Sequence, residues 1–300
     1  MRGLTDRLFH QKEIVIDMSI IFAPGGNTDR FYEEGYKSSL KMPEYLNKIG
    51  LNGYEYQCNK GIHISNDSAK KLGELAKEFG ISLSIHSQYY ISLSSTEEEK
   101  REKSVEYLMG CFRIADIMGA KRIVVHTGSA SKITREEALK LSLNTIEKTL
   151  KQAREEGYND IFLCPETMGK INQLGDLNEV LKLCRTDEML IPTLDFGHLN
   201  ARTLGGIKTK ADYEKIIDTM IDKIGIDKAK IFHSHFSKIH YTIQGEKKHL
   251  TFEDTEYGPD FEPLMEVLYE KQLTPFIVCE SAGTQDLDVM QMQRFYGALP

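Results

Sequence analysis

Histidines and acidic residues recur at the ends of short apolar runs along this 300-residue chain. They close six successive runs, which read SIH, VVH, PE, LDFGH, FHSH and VCE. Borderline divalent ions readily take imidazole and carboxylate ligands, and so many acids brought together would repel one another without a cation. The pattern therefore predicts a metal site, with these ligands: His86, His126, Glu166, Asp195, His198, His233 and Glu280.

The predicted ligands outnumber those that a single zinc ion takes, so we expect two or three ions, with Glu166 bridging a pair. The predicted set contains no cysteine, which is typical of a catalytic rather than a closed structural zinc site. Two ions about 3.5–4 Å apart suit in-line displacement at phosphorus, because they stabilise both the attacking and the leaving oxygen.

Eight short apolar runs alternate with longer amphipathic segments, and this alternation predicts how the ligands are positioned. Runs such as IVV before His126 lack polar alternation, which indicates parallel strands buried on both faces. Eight βα units fit a (β/α)8 or TIM barrel, whose active sites lie at the carboxyl ends of the strands. The predicted strands are Ile14–Phe22, Gly53–Gln57, Ser82–His86, Arg122–His126, Ile161–Glu166, Leu190–Asp195, Lys230–His233 and Phe276–Glu280.

Helices are predicted between the strands, and the alternative is a doubly wound open sheet. That fold usually has a GxGxxG turn after its first strand, whereas this chain reads APGGNTDRF. We expect one barrel domain over residues 18–300, with residues 1–17 as a possible extension. The segment Ser237–Asp260 is the longest without a predicted element, and a loop of that length is usually functional. The predicted helices are Ser39–Ile49, Asp67–Phe79, Glu97–Met118, Arg135–Glu156, Leu177–Cys184, Ala211–Ile224, Phe261–Lys271 and Asp286–Phe295.

The composition bears on DNA binding, on the state of the cysteines and on the cellular location. The net charge of -7 counts against DNA binding by bulk charge, although clustered cations supply positive potential where a phosphate docks. The five cysteines form no CxxC pair and are expected to be buried thiols. Without a long apolar stretch or a signal-like N-terminus, we expect a cytoplasmic protein with no membrane segment.

Over nearly its whole length, the chain resembles the endonuclease IV family of apurinic/apyrimidinic endonucleases, in the superfamily of xylose isomerase-like TIM barrels. The resemblance rests on SIHSQYYISL, VVHTG, PETMG, LDFGHLNA, HSHFSK and VCES, in this order and each at its own strand. PETMG and the DxxH of LDFGH are the more specific motifs, whereas VVHTG alone would be weak.

The resemblance implies three zinc ions. His86 and His126 would hold the first, and Glu166 would bridge it to a second held by Asp195, His233 and Glu280. His198 would hold the third. The family's Asp-x-His pair for that ion is missing, because the loop reads GEKKHLTF. Manganese is an alternative for this third site, where the candidate substitutes are Glu246 and His249, with His235 and His240 as further alternatives.

The resemblance also implies damaged double-stranded DNA as the partner and a monomeric protein. Tyr89 matches the family's intercalating tyrosine and Tyr90 follows it, although two tyrosines also commonly pack a loop. Lysines are candidate phosphate contacts, and each has the alternative of being an ordinary surface residue. These are Lys60, Lys238, Lys247 and Lys248.

The predicted function is metal-dependent hydrolysis of the phosphodiester 5′ to an abasic site, with Glu166 and Glu280 as the catalytic residues. One alternative is a sugar isomerase or epimerase on the same barrel, for which Glu166, Asp195, His233 and Glu280 would hold one manganese ion. His86, His126 and His198 count against this alternative, because a single ion does not need them. A non-catalytic binding module is the other alternative, supported by the altered GEKKH loop alone.

Overall fold

The core of the fold is a sheet of eight parallel strands, seen in a computed structural model that describes residues 20–300. Each strand hydrogen-bonds to its neighbours in the order β1-β10-β7-β6-β5-β4-β3-β2. An antiparallel hairpin of β8 and β9 stands apart from this sheet. The strands are β1 Ile21–Pro24, β2 Gly53–Gln57, β3 Ser82–His86, β4 Arg122–His126, β5 Phe162–Glu166, β6 Thr193–Asp195, β7 His233–Phe236, β8 Ile239–Thr242, β9 Gly245–His249 and β10 Phe276–Cys279.

The two outer strands of this order, β1 and β2, meet and nearly close the barrel. Gly25 and Glu55 form a parallel bridge, and Gly26 N donates to Glu55 O at 2.9 Å. The side chain of Asn52 accepts from Phe22 N at 2.7 Å and donates to Ile20 O at 3.0 Å. The predicted TIM barrel is confirmed, and the alternative of an open sheet is wrong.

Helices lie between the strands and cover the barrel. Capping boxes begin two of them: Thr134 with Glu137 starts α5, and Asp176 with Glu179 starts α6. A short 3-10 helix, Ser39–Lys41, precedes α2. The α-helices are α1 Asp29–Glu33, α2 Met42–Ile49, α3 Asn66–Glu78, α4 Glu98–Met118, α5 Arg135–Glu155, α6 Leu177–Cys184, α7 Phe196–Arg202, α8 Lys210–Ile224, α9 Ile226–Lys230, α10 Glu262–Glu270 and α11 Gln285–Gly297.

The structure differs from the predicted elements in several places, two of them around the seventh strand. The seventh barrel strand is His233–Phe236 rather than Lys230–His233, because helix α9 continues to Lys230. The predicted loop Ser237–Asp260 contains the β8–β9 hairpin. The part of the predicted first strand before residue 20, and the predicted extension 1–17, lie outside the described residues.

Apolar side chains fill the space between strands and helices in one large cluster, with the fully buried aromatic residues Tyr45, Phe112 and Phe232 among its members. All five cysteines are free and buried, as predicted. No helix within residues 20–300 combines the length and the apolar character needed to cross a membrane.

Candidate metal centre

Most of the predicted ligands converge at the carboxyl ends of the barrel strands. A cavity of about 330 Å³ lies there, and its wall includes His86, His126, Glu166, His198 and Glu280 but not Asp195 or His233. A larger depression, of about 700 Å³, lies at the amino-terminal ends of the strands and contains no such convergence of histidines. The smaller cavity is therefore the candidate site.

Glu166, the last residue of β5, is the centre of the cluster and is fully buried. Its Oε2 lies 3.4 Å from Nε2 of His86 and 3.4 Å from Nε2 of His126. Its Oε1 lies 3.1 Å from Nδ1 of His235 and 3.3 Å from Nδ1 of His198. One carboxylate thus faces imidazoles from four different elements, as a bridging ligand would.

A second set of ligand atoms surrounds Asp195 and Glu280. Single ligand atoms of Glu166, Asp195, His235 and Glu280 all lie within 4.8 Å of one another. His235 Nδ1 is 3.4 Å from Oε2 of Glu280. Three carboxylates and one imidazole are a donor set that suits zinc or manganese.

The histidine in this second set is His235, whereas the predicted ligand His233 groups with Glu55 and His235. Residues 233 and 235 point to the same face of β7, because side chains alternate along a strand. His233 lies one layer deeper in the barrel, with its ring stacked on Phe276 at 5.1 Å and Nε2 3.0 Å from Oε2 of Glu55. The predicted seventh strand, Lys230–His233, begins and ends three residues too early, so its last residue is His233.

A third set forms where the hairpin meets helix α7. Ligand atoms of His198, Glu246 and His249 lie within 4.8 Å of one another. His198 Nε2 is 3.4 Å from Oε2 of Glu246, and His249 Nδ1 lies 2.8 Å from Oγ of Ser237. The two substitutes that the sequence suggests for the missing Asp-x-His pair are therefore beside His198. His240 is absent from this set, and its ring packs on Tyr257 at 4.7 Å.

Backbone carbonyls fix the orientation of two rings. His86 Nδ1 donates to the carbonyl of Ser87, and His198 Nδ1 donates to that of Thr167, both at 2.9 Å. A carbonyl only accepts, so Nδ1 carries the proton and Nε2 of each ring is free to present a lone pair. In both rings Nε2 faces a carboxylate of the cluster, Glu166 or Glu246.

Buried carboxylates and imidazoles shift one another's pKa values strongly. Burial alone would lower the pKa of His86, but Glu166 outweighs it and raises the value to about 9. Burial would raise the pKa of Glu280, but His235 outweighs it and lowers the value to about 2. Burial lowers the pKa of His126 to about 4. Without ions, protons on some imidazoles thus balance the acids.

The described residues fit metal ions. Oε2 of Glu166 and Oδ2 of Asp195 are buried and have no hydrogen-bond partner in the described part of the chain. An unpaired buried acceptor is costly, and a cation between these oxygens and the imidazole nitrogens would satisfy both atoms. The donor set itself, histidine and carboxylate without cysteine, is that of a catalytic metal site.

The sequence analysis missed Glu55, a fully buried acid in β2. Its carboxylate lies 3.0 Å from Nε2 of both His233 and His235. Burial would raise its pKa, but His235 and His233 outweigh burial and hold the pKa below its ordinary value. The signal that would reveal it is the single acid in GYEYQ, a strand with no other charged residue.

The predicted DNA-binding residues differ in their surroundings. Tyr89 lines the candidate site and is 60% exposed, so its ring is open to a ligand. Tyr90 packs edge-on against both Tyr89 and Tyr107. Lys60 is exposed, but the ammonium of Lys238 contacts Asp254 O at 2.7 Å and Asp260 Oδ1 at 3.1 Å. This placement does not favour a phosphate contact for Lys238.

Comparison with known proteins places the chain among related barrels. An uncharacterized protein of Methanocaldococcus jannaschii is 29% identical over 263 residues, covering 88% of this chain and 93% of that protein. Probable endonuclease 4 of Staphylococcus carnosus is 27% identical over 172 residues, which are 55% of this chain and 55% of that protein. That match spans about half of the endonuclease.

Two solved structures share the fold. Endonuclease IV from Thermus thermophilus superposes with a TM-score of 0.62 at 18% identity, covering 92% of this chain and 98% of that chain. A D-tagatose 3-epimerase-like protein superposes with a TM-score of 0.65 at 19% identity, covering 85% and 90%. Residues 43–295 match the model for xylose isomerase-like TIM barrels. The chain therefore belongs to the family of xylose isomerase-like TIM barrels.

Proposed function

We propose that this protein is a metal-dependent hydrolase that cleaves the DNA phosphodiester 5′ to an abasic site, with two or three divalent ions. Zinc is the expected ion, and manganese is the alternative at the set formed by His198, Glu246 and His249. That set is the observation that carries the proposal, because it adds ligands beyond those that one ion beside Glu166 and Asp195 needs. The similarity to endonuclease 4 proteins supports the same substrate class.

The catalytic roles follow from burial and access. Ions at these ligands would lower the pKa of a bound water and neutralise charge on the phosphate. Glu166 is fully buried between two groups of ligands, so its role is to bridge and hold. Glu280 has 18% of its side chain exposed at the cavity, so its carboxylate can accept a hydrogen bond from a water and orient it.

Cleavage of a duplex that carries one abasic analogue tests the activity. The metal-loaded protein is expected to cut on the 5′ side of the lesion and to leave an undamaged duplex intact. Glu280→Gln keeps the shape of the side chain but removes the charge that orients the water. We expect it to cut about 100-fold or more slowly, the size of a general-base contribution.

Two outcomes would contradict this proposal. One is no cleavage by protein whose bound zinc or manganese has been verified by elemental analysis. The other is cleavage that persists unchanged in Glu166→Gln and Glu280→Gln, since a contaminating nuclease would then account for it.

A pair of lysines tests the proposed DNA-binding surface. Lys247 is exposed beside the site on β9, whereas the ammonium of Lys238 is already bound by the protein. Lys247→Ala is expected to weaken binding of the abasic duplex severalfold and to reduce its salt dependence by about one phosphate contact. Lys238→Ala should leave DNA affinity unchanged but lower the free energy of unfolding, by about 1.5–3 kcal/mol. Equal losses of affinity in both variants would argue against this assignment.

A sugar epimerase is the second candidate. The observation that favours it is the set of Glu166, Asp195, His235 and Glu280, which would hold a single manganese ion. The structural likeness to a D-tagatose 3-epimerase-like protein points the same way. Elemental analysis separates the candidates, because about one ion per chain together with epimerisation of a ketohexose favours the epimerase. Two or three ions and cleavage of the abasic duplex favour the nuclease.

A further inference from the structure

A buried carboxylate lies one layer beneath the candidate metal centre, inside the barrel. Glu55 Oε2 lies 3.0 Å from His233 Nε2 and accepts from Ser84 Oγ at 2.9 Å. Oε1 accepts from Gln57 Nε2 at 3.2 Å and lies 3.0 Å from Nε2 of His235. Both oxygens are thus held from several sides, so the carboxylate has a defined orientation.

His235 stands between this carboxylate and the metal ligands. Its Nδ1 is hydrogen-bonded to Oε1 of Glu166 at 3.1 Å and lies 3.4 Å from Oε2 of Glu280. Its Nε2 faces Oε1 of Glu55, without an aligned hydrogen bond. Nδ1 can bind an ion beside Glu166 only if it presents its lone pair, and a neutral ring must then carry its proton on Nε2.

Glu55 favours that arrangement of the proton. A carboxylate 3.0 Å from a ring nitrogen attracts an N–H there and repels a lone pair. In His86 and His198, a backbone carbonyl accepts from Nδ1 and so orients the ring, which leaves Nε2 to present a lone pair. For His235 a charged carboxylate lies at the corresponding nitrogen, and such a partner also raises the basicity of the nitrogen that binds the ion.

We propose that Glu55 is a positioning residue that keeps the proton of His235 on Nε2 and thereby strengthens metal binding by Glu166, Asp195, His235 and Glu280. Glu55 acts through His235, whose Nε2 lies 3.0 Å from Oε1 of Glu55. His233 and Ser84 contact its other oxygen. This inference rests on the metal site of the proposed function but not on the identity of the substrate.

Glu55→Gln tests the proposal, because it keeps the shape of the side chain and removes the charge. Zinc affinity is measured by competition with a chromophoric chelator, and the expected loss is about 10–100-fold. Ser84→Ala is the matched control: it removes one hydrogen bond to the same carboxylate and leaves the charge, so affinity should stay close to that of the wild type. Should Glu55→Gln fail to fold, Glu55→Asp retains the charge at a greater distance from His235, and a smaller loss is expected.

A spectroscopic measurement separates positioning from a general loss of structure. Long-range proton–nitrogen spectra of zinc-loaded protein with labelled histidines report which nitrogen of His235 carries the proton. We expect a proton on Nε2 in the wild type and in Ser84→Ala, and in Glu55→Gln an Nε2–H that exchanges faster with solvent, because its charged acceptor is gone. The spectra of His86 and His198 should not change.

The outcomes distinguish this proposal from the proposed function. Unchanged zinc affinity and an unchanged His235 signal in Glu55→Gln would overturn the role of Glu55, whatever the enzyme cleaves. Equal losses of affinity in Glu55→Gln and Ser84→Ala would also overturn it, and so would a wild type that binds no metal. A wild type that binds zinc but leaves abasic DNA intact would refute only the nuclease.

Discussion

In the candidate metal centre, neighbouring groups orient the side chains of individual residues for binding cations. The backbone carbonyls of Ser87 and Thr167 fix the ring orientation of His86 and His198, so this orientation is present before any ion binds. Glu166 and Asp195 each have a buried carboxylate oxygen with no hydrogen-bond partner among the described residues. Without ions, the acids are balanced by protons on imidazoles, and loading must therefore release protons.

This exchange predicts how the stability of the ion-free protein depends on pH. The pKa of His86 is raised from 6.5 to about 9, so its stabilising effect is complete below pH 6.5 and is lost as the pH rises through 9. The pKa values of His126 and His233 are lowered from 6.5 to about 4. Their protonation in the unfolded chain reduces stability as the pH falls from 6.5 towards 4.

We therefore expect the melting temperature of the ion-free protein to be highest near pH 6.5 and lower at both pH 5 and pH 9. Zinc-loaded protein should not lose stability between pH 6.5 and 9, because the ion takes the place of the protons. Thermal melts with and without a chelator measure both curves. Equal melting temperatures at pH 6.5 and 9 in the ion-free protein would show that the balance of charge is different.

At the scale of elements, the β8–β9 hairpin completes the third set of ligands. It docks on the chain after β5, where Ile171 N donates to Gln244 O at 3.1 Å and Glu246 N donates to Gly169 O at 3.2 Å. Gly245 lies at the turn of the hairpin with φ of 91° and forms a bridge with Lys170. The close approach of the two backbones brings Glu246 to His198.

Gly245→Ala is expected to displace the hairpin. An added Cβ would overlap the carbonyl oxygen of Gly169, so the two segments would have to separate. Metal content should fall by one ion per chain, with the ions beside Glu166 retained. Gly35→Ala is the matched control, because φ there is 89° but nothing lies within 4 Å of the added Cβ. It should cost only about 1–2 kcal/mol of strain and leave the metal content unchanged. If both variants keep the full metal content, the hairpin does not supply ligands.

At the scale of the whole molecule, the sequence predicts the barrel better than it predicts the layers within it. Apolar runs and helix caps suffice to identify the eight βα units, because burial on both faces leaves a strong pattern. The position of a residue along its strand leaves a weaker pattern in the sequence. Ile231 and Phe232 are apolar like strand residues, but the seventh strand begins after them. The predicted strand therefore ends at His233 and does not include His235.

Glu55 is a second residue whose place within the barrel is not predicted from the sequence. A single acid within a buried strand has no local partner in sequence, since His233 and His235 are 178 and 180 residues away. Only the closed barrel brings these side chains together. Prediction of that contact would require the register of β2 against β7 across the barrel, which local patterns do not contain.

Closure of the barrel depends on a side chain at the junction of β1 and β2. No continuous ladder joins these two strands within the described residues, where one bridge connects Gly25 and Glu55. Asn52 compensates with hydrogen bonds to Phe22 N and Ile20 O. Asn52→Ala should lower the free energy of unfolding by about 1–3 kcal/mol, because it leaves these backbone groups without their partner.

Asn47→Ala is the control for this junction, because its side chain donates to Phe79 O at 3.1 Å in an exposed position away from β1. It is expected to have a small effect on unfolding in urea. Hydrogen exchange gives the more specific test: amides of β1 and β2 should exchange faster in Asn52→Ala, whereas those of β4 and β5 keep their protection. Uniformly faster exchange would mean that the barrel opens as one unit and that this junction is no weaker than the rest. Selective exchange would identify the meeting of β1 and β2 as the place where the barrel first opens, next to Glu55.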